Sequence, residues 1–262
     1  MKNPLRIILI VALLILIVLA FHIVRLNSTM RGIETTVEPC DRPVLIDEPD
    51  VDSIIIAAYP NLRNTKVKNI KRREVVSLLR AHPYILDAKV RLSAGGKLLV
   101  DVTPRQPVLR MFYQGNEFYI SREGTCMPLA PGHYCHLIVG NTLWEEPLLR
   151  NVARLDLADT ANHRQPASLQ KMWTLALFLH DNPHYGDIFD QMCINSDGDL
   201  CLIPKLGITT VVIGDTTRIA EKFENLWAFI DQGISQLGWN TYTEINLKYR
   251  GQVVCTKADK FK

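Results

Sequence analysis

Ser168 and Lys171 have the spacing of the S-x-x-K motif, in which a lysine one helical turn away deprotonates a nucleophilic serine. The triplet Ser196-Asp197-Gly198 approaches the S-D-N triplet of penicillin-binding serine acyltransferases. The sequence lacks the K-T-G strand that completes the oxyanion region of those enzymes. Because the triplet also suits a hairpin turn and Ser168 can begin a helix, we keep an anchored extracytoplasmic serine acyltransferase only as an alternative function.

His133 and His136 flank Cys135 and are the residues that come closest to metal-ligand spacing. They stand in a turn rich in proline and glycine, without the second ligand group that a structural zinc site needs. The common phosphate-loop, dinucleotide, zinc-protease and nucleophile-elbow motifs are missing as well. We therefore expect no catalytic, cofactor-binding or metal-binding residues, and no small-molecule substrate.

Composition and charge describe a globular chain with one exceptional segment. The 262 residues are 47% hydrophobic, which excludes a disordered chain. Thirty basic residues against 27 acidic ones give a net charge of +3, too balanced for a nucleic-acid-binding surface. The basic run from Lys66 to Arg73 fits the solvated face of a helix. We expect one or two domains and no nucleic acid partner.

The exceptional segment is an apolar run from Ile7 to Val24, interrupted only by His22. Eighteen helical residues rise about 27 Å, close to the thickness of a bilayer core. Lys2 and Arg6 resemble the start of a signal peptide, but the run is long and no A-x-A-like cleavage site follows. We predict a retained transmembrane helix in residues 1–26, with the N-terminus in the cytoplasm on a narrow count of flanking positive charges.

All six cysteines follow the predicted anchor, which suits an oxidising compartment and places most of the chain outside the cytoplasm. Cys193 and Cys201 flank a predicted turn, and Cys126 and Cys135 are near neighbours in the sequence. Each pair is a possible disulfide. Sequence does not fix the connectivity, so buried free thiols stay open as the alternative.

Proline-rich residues 27–50 are predicted to be a linker, and residues 51–104 a small α/β unit. In this unit the pattern predicts a strand over 51–58, a helix over 68–81 and a hairpin of strands 86–93 and 97–103. A helix packed on such a sheet buries the apolar faces of both.

Residues 105–257 are predicted to form a mixed, mainly antiparallel β-domain with packed helices, followed by a tail over 258–262. Helices are expected over 168–180 and after the capping residues Asp215–Thr217. A hairpin is expected to join strands 188–194 and 200–203. Alternation over 243–249 predicts a half-buried strand, with which residues 252–256 can pair. The predicted fold class is therefore α+β.

Several short strings, in their order along the chain, resemble the FtsQ/DivIB family of bacterial division proteins. The strings are Ala81-His82-Pro83-Tyr84-Ile85, Ala88-Lys89-Val90, Gly96-Lys97-Leu98-Leu99-Val100, Arg105-Gln106-Pro107-Val108, Met127-Pro128-Leu129, Ile203-Pro204-Lys205-Leu206-Gly207, Lys222-Phe223-Glu224-Asn225-Leu226 and Ile245-Asn246-Leu247-Lys248-Tyr249. The segment from Tyr119 to Gly124 is also similar, although Ser121 stands where the family is expected to have an aspartate.

The resemblance implies a non-enzymatic divisome protein, a single-pass scaffold of the inner membrane whose bulk lies in the periplasm at the septum. It implies that residues 51–104 are a POTRA domain and that the β-domain recruits partners of the FtsB and FtsL type. A POTRA-type export or assembly factor is the other alternative. Such factors couple POTRA repeats to a membrane barrel, whereas this sequence offers one POTRA-like unit and no barrel-length series of strands.

A terminal strand with free backbone groups can bind an extended partner segment by β-augmentation. We place this site in residues 241–256 and leave open which of the two C-terminal strands is the edge. The predicted partner-binding residues are Tyr242, Glu244, Asn246, Lys248, Gln252, Val253 and Val254. The alternative is that Glu244 and Lys248 are charges that protect an edge without binding a partner.

Overall fold

The computed structural model describes residues 4–27, 29–40, 44–66, 69–93, 95–142, 155–158, 166–207, 209–234, 238 and 241–258. The chain divides into two compact units, Met1–Pro104 and Arg105–Lys262. Each unit combines helices with its own sheet, so the α+β class is confirmed. Of the predicted C-terminal tail, residues 258–262, only residue 258 belongs to the described part of the chain.

The first unit begins with helix α1, Pro4–Asn27, which is 24 residues long. Its large apolar side chains between Ile8 and Leu19 each keep 49% to 67% of their surface exposed. Ile7 and Val24, the predicted limits of a membrane span, belong to this helix, but their side chains lie outside the described part. Among the residues that were described in full, no helix has a long enough apolar stretch to cross a bilayer.

The remainder of this unit is a three-stranded sheet with helices α2 (Glu48–Ala58) and α3 (Arg72–Arg80). The strands are β1 (Gly32–Val37), β2 (Ile85–Leu92) and β3 (Lys97–Pro104), in the order β1-β3-β2. The predicted antiparallel hairpin of β2 and β3 is confirmed. The helices and the sheet share one core, which includes Val51, Ile55, Val75, Leu79, Ile85, Leu98, Val100 and Val102.

The predicted strand over residues 51–58 is wrong, because these residues belong to α2. Asp47 begins the helix with a capping box: its carboxylate accepts the N–H of Asp50 at 3.0 Å, and the Asp50 carboxylate accepts the N–H of Asp47 at 3.1 Å. Pro49 stands in the first turn, where its fixed φ favours a helix. These start signals outweigh the weak strand preference of the isoleucines that follow.

The predicted linker over residues 27–50 is also wrong in part. Gly32–Val37 pair in parallel with β3, from Gly32 opposite Lys97 to Val37 opposite Val102. Thr35 Oγ1 also donates to Asp52 Oδ1 at 2.5 Å, which joins the strand to α2. The partner of a parallel strand comes from a distant part of the chain, so no pattern of neighbouring residues predicts the pairing.

The second unit contains a mixed sheet of nine strands, in the order β12-β11-β10-β9-β8-β7-β4-β5-β6. The strands are β4 (Pro107–Tyr113), β5 (Asn116–Ser121), β6 (Cys126–Pro128), β7 (Val139–Thr142), β8 (Phe189–Ile194), β9 (Leu200–Pro204), β10 (Thr210–Gly214), β11 (Tyr242–Asn246) and β12 (Val254–Lys257). Helices α4 (Ala167–Asp181), α5 (Pro183–Gly186) and α6 (Ile219–Phe229) follow the same numbering, and α6 continues into a π-helical turn, Ile230–Ile234. Side chains of α4 and α6 share one core with the sheet.

The predicted helix over 168–180 and the hairpin of β8 and β9 are confirmed. The side chain of Asn195 fixes the hairpin turn, since its Oδ1 accepts the N–H groups of Asp197 at 3.0 Å and Asp199 at 2.9 Å. Strand β4 is not predicted by the sequence pattern. Five of its seven residues are buried, so it lacks the alternation that marks a half-exposed strand.

The predicted capping of α6 by Asp215–Thr217 is wrong. Arg218 occupies the N-cap position in a left-handed conformation, with φ 52°, and its side chain makes no capping hydrogen bond. The Asp215 carboxylate instead accepts Thr217 Oγ1 at 2.6 Å and Lys222 Nζ at 2.7 Å. Lys222 is only 3% exposed, so this carboxylate compensates a buried ammonium group.

This ion pair should make the free energy of unfolding depend on pH. The hydrogen bond from Lys222 and that from Thr217 lower the Asp215 pKa from 3.8 to about 2. Its stabilisation is therefore complete above about pH 4 and is lost as the pH falls towards 2. Because Asp215 is largely exposed, we expect Asp215→Asn to lower the free energy of unfolding by only about 1 kcal/mol at pH 7. In urea titrations this difference should shrink between pH 4 and pH 2.

Asp190→Asn is the matched control, because Asp190 makes a looser surface pair with Lys205 at 3.9 Å. It should change the free energy of unfolding by less than about 0.5 kcal/mol across the same pH range. A difference between Asp215→Asn and the unchanged protein that stays constant from pH 4 to pH 2 contradicts the prediction.

Candidate functional site

The candidate site is β12, which we call the docking edge (Val254–Lys257). It is one outer strand of the nine-stranded sheet and pairs antiparallel with β11. Strand β11 lies inside the sheet, because it also pairs in parallel with β10. The structure thus identifies β12 as the edge of the two C-terminal strands. Glu244 lies on the inner strand and Lys248 just after it, so neither is an edge-protecting charge on the outer strand.

The backbone N–H and C=O groups of the docking edge point alternately towards β11 and away from the sheet. Ala258 donates its N–H to the Thr241 carbonyl at 3.0 Å, and the Thr256 carbonyl accepts Thr243 Oγ1 at 3.4 Å. Positions 256 and 258 therefore face β11. Since alternate residues of an antiparallel strand turn their backbone groups to opposite sides, the N–H and C=O groups of Cys255 and Lys257 point outward. No described strand pairs with that side.

The side chains of the docking edge also divide between two faces. Thr256 lies opposite Glu244, and Val254 lies opposite Asn246, so these four residues share one face. Val254 is 45% exposed there. Cys255 lies opposite Ile245 and packs against the core on the other face. An added strand would meet both a partly apolar face and free backbone groups.

The structure distributes the predicted partner-binding residues over β11, β12 and the segment between them. Tyr242, Glu244 and Asn246 belong to β11, and Lys248 follows it; Gln252 and Val253 precede the edge, and Val254 begins it. Thr256 lies within the predicted site, although it is not among the predicted partner-binding residues, and Lys257 lies one residue beyond it; both are exposed on the edge strand itself. The continuation of the strand to Lys257 is revealed only by its pairing with Tyr242 of β11.

Hydrogen bonds hold the polar side chains beside the edge in place. Asn246 donates from Nδ2 to Glu244 Oε1 at 3.3 Å and accepts the Lys248 N–H at 3.1 Å. Lys248 Nζ pairs with Asp199 Oδ2 at 2.6 Å, and this hydrogen bond raises the lysine pKa. Lys248 is thus engaged within the sheet domain rather than free to meet a partner.

Gly214 permits the Lys248 side chain to cross the end of β10. Its φ is +80°, and an added Cβ would lie 2.7 Å from Lys248 Cγ. The backbone of β11 is further fixed by Thr209, whose Oγ1 donates to the Tyr242 carbonyl at 2.7 Å. These contacts give the docking edge a rigid inner neighbour.

The structure brings one of the two predicted cysteine pairs together. Cys193 and Cys201 are direct register partners in the ladder of β8 and β9, and their thiols are hydrogen-bonded to each other. Cys126 instead lies in the core beside its register partner Ile120, where burial raises its pKa to about 12. None of the six cysteines, all of which lie in described residues, forms a disulfide.

The backbone of Cys135 is hydrogen-bonded to the hydroxyl of Tyr119. Tyr119 and Ile120 are consecutive strand residues, so their side chains leave opposite faces of β5. Cys126 goes with the face of Ile120, and Cys135 with the face of Tyr119. The structure therefore gives no support for a disulfide between Cys126 and Cys135.

Ser168 and Lys171, the pair of the alternative acyltransferase function, have a structural role. Ser168 is only 2% exposed in the first turn of α4. Lys171 Nζ donates to the Gly198 carbonyl at 3.1 Å, which ties α4 to the hairpin of β8 and β9. The residues that resemble an acyltransferase motif thus form a packing contact between a helix and a turn, without an accessible hydroxyl group.

Comparison with known proteins places these features in a family. The family model described as FtsQ/DivIB, C-terminal related, matches residues 106–256, which is more than half of the chain. The match covers the nine-stranded sheet except for the last residue of the docking edge. No curated protein matches the chain. On the extent of the family match, this chain belongs to the FtsQ/DivIB family.

Proposed function

We propose that this protein is a membrane-anchored, non-enzymatic scaffold of the divisome, which binds other septum proteins through its docking edge. Membership in the FtsQ/DivIB family indicates a role in cell division. The observation that carries the proposal is the outward backbone of β12 at the margin of a nine-stranded sheet. Such an edge can bind an extended segment through main-chain hydrogen bonds.

The docking edge can accept a partner strand without rearranging the core. Its outward N–H and C=O groups at Cys255 and Lys257 would continue the ladder, while Val254 and Thr256 would contact alternate side chains of the partner. The exposed Lys257 favours a partner segment that carries a carboxylate nearby. We propose divisome membrane proteins of the FtsB and FtsL type as the partners.

The membrane anchor of this scaffold is helix α1. The apolar run of α1, from Ile7 to Val24 in the sequence, rises about 27 Å as a helix, close to the thickness of a bilayer core. Exposed apolar side chains along Ile8–Leu19 would be costly in water and are suited to lipid. We propose a cytoplasmic N-terminus and a periplasmic bulk, consistent with cysteines that all follow the helix.

We further propose that the three-stranded sheet of the first unit, with α2 and α3, is a POTRA domain that helps to locate the protein at the septum. Its support is the small α/β architecture and its own compact core. Because β1 belongs to the sheet, this domain would begin near Gly32 rather than at residue 51.

The proposed docking is tested by Lys257→Pro. Proline removes the outward N–H of the edge while leaving the hydrogen bonds of Thr256 and Ala258 to β11 intact. We expect partner binding to weaken at least about tenfold, because one main-chain bond is lost and the added ring obstructs the partner strand. The measurement is the Kd of the purified protein for the periplasmic segments of FtsB- and FtsL-type partners.

Lys257→Ala is the matched control, because it removes the same side chain but keeps the N–H. It should stay within about threefold of the unchanged protein, and both variants should retain its thermal unfolding midpoint. Cells whose only copy carries Lys257→Pro should grow as filaments without septa. Equal partner affinity for the proline and alanine variants contradicts docking at this edge.

A further inference from the structure

Cys193 and Cys201 bring two nucleophilic side chains together in the sheet of the second unit. They lie directly opposite each other in β8 and β9, between the pairs Met192–Leu202 and Ile194–Leu200. We propose that this pair is a thiol–disulfide exchange site, at which an external disulfide oxidises the two thiols to a cross-strand disulfide. The site is separate from the docking edge and does not depend on the proposed function.

The backbone already has the spacing that a disulfide requires. Paired residues of an antiparallel ladder have Cα atoms about 4.5–5.5 Å apart, within the range of about 4.4–6.8 Å found across disulfides. The adjoining turn is held by the Asn195 N–H, which donates to the Asp199 carbonyl at 3.1 Å, and by the Asn195 side chain. Closing the bond therefore needs a rotation of side chains rather than a movement of strands.

The two thiols differ in their surroundings, which assigns each a role. Cys193 is half-buried, and its hydrogen-bonding contact with Cys201 lowers its pKa to about 7. Cys201 is 2% exposed, and the hydrogen bond with Cys193 and then burial raise its pKa. The nearby carboxylates of Asp199 and Glu244 act in the same direction. Cys193 is thus the attacking thiol and Cys201 the resolving thiol.

The exchange balances in two steps. The Cys193 thiolate attacks a disulfide of the oxidant, forms a mixed disulfide with one of its sulfurs and releases the other as a thiolate. Cys201 then loses its proton and attacks the Cys193 sulfur, which releases the second thiolate. The two cysteines are oxidised by two electrons, the oxidant is reduced to two thiols, and the protons of the cysteines pass to the solvent or the released thiolates.

The position of the pair gives the disulfide a mechanical consequence. Strands β9 to β12 join the rest of the sheet through the ladder of β8 and β9. A bond across this ladder covalently joins the four strands that include the docking edge to the other five. We expect oxidation to raise the thermal unfolding midpoint by about 5 °C.

The test is to equilibrate the purified full chain with oxidised glutathione and to map its peptides under non-reducing conditions. We expect one peptide that contains Cys193 joined to Cys201, with Cys126 and Cys135 remaining thiols because both are buried with raised pKa values. A protein whose Cys193 and Cys201 both remain thiols, or one that joins either of them to a different cysteine, overturns the proposal.

The order of attack is tested by two serine variants. Cys201→Ser should accumulate a glutathione adduct on Cys193, because no thiol is left to resolve it, whereas Cys193→Ser should leave Cys201 unmodified. An adduct that accumulates on Cys193 of the unchanged protein to the same extent as in Cys201→Ser overturns the proposal. If a serine variant does not fold, the peptide map of the unchanged protein decides the question.

Discussion

Replacement of both Leu14 and Ile15 by arginine in α1, the proposed membrane anchor, is expected to move this protein out of the membrane fraction. The two residues stand near the middle of α1, where their side chains are 56% and 62% exposed. An arginine at the centre of a membrane helix costs about 2.5–3.5 kcal/mol on insertion scales, so the pair costs about 5–7 kcal/mol. The measurement is the distribution of the full chain between membrane and soluble fractions after an alkaline wash.

Alanine at the same two positions is the matched control, because it keeps the helix and adds no charge. The alanine variant should remain in the membrane fraction with the unchanged protein. If the arginine variant remains there too, α1 is not the anchor. If the unchanged protein is washed into the soluble fraction, the proposed membrane attachment fails, while docking at β12 can still be tested separately.

Phe223→Ala should lower the free energy of unfolding of the second unit by about 3–5 kcal/mol. Phe223 is fully buried on α6 and is the centre of an aromatic cluster. Its ring centroid lies 4.9 Å from Phe178, 5.1 Å from Tyr185 and 6.3 Å from Phe189. Truncation removes the apolar burial and leaves a cavity between helices and sheet, which is best measured by urea unfolding followed by circular dichroism.

Trp227→Ala, one turn further along α6, is the matched control. Trp227 belongs to the same cluster, 5.9 Å from the Tyr185 ring, but it is 44% exposed. Its loss should cost about 1 kcal/mol, since less surface returns to water and the site can be filled by solvent. Equal losses for the two variants would contradict the placement of the core at Phe223.

The elements that sequence predicts well are those whose signals are local. The hairpin of β2 and β3 follows from alternation on each side of a glycine-containing turn, and α4 follows from its apolar spacing. Strand β1 lacks such a signal, because its partner lies 65 residues away, at Lys97 opposite Gly32. For α2, the capping box of Asp47 and Asp50 decides the structure, although the isoleucines that follow suggest a strand.

The candidate site shows the same division between local and distant information. The alternating pattern of β11 and its pairing with the next strand are predictable from adjacent residues. Which of the two strands is the edge depends on the parallel pairing of Val211 with Ile245, and thus on residues far from the C-terminal segment. Likewise, Cys193 and Cys201 lie opposite each other because a turn joins their strands, whereas the register partner of Cys126 is Ile120 and not the nearby Cys135.

The shortness of β12 has a consequence for how a partner can pull on this protein. Only four residues attach this strand to β11, next to an irregularity in the ladder between Tyr242 and Glu244. A load directed away from the sheet would break those bonds one after another, and the strand would peel off easily. A load along the strand would be shared by all of them at once. A segment laid lengthwise on β12 can therefore transmit tension during constriction far better than a ligand that grips the strand at one point.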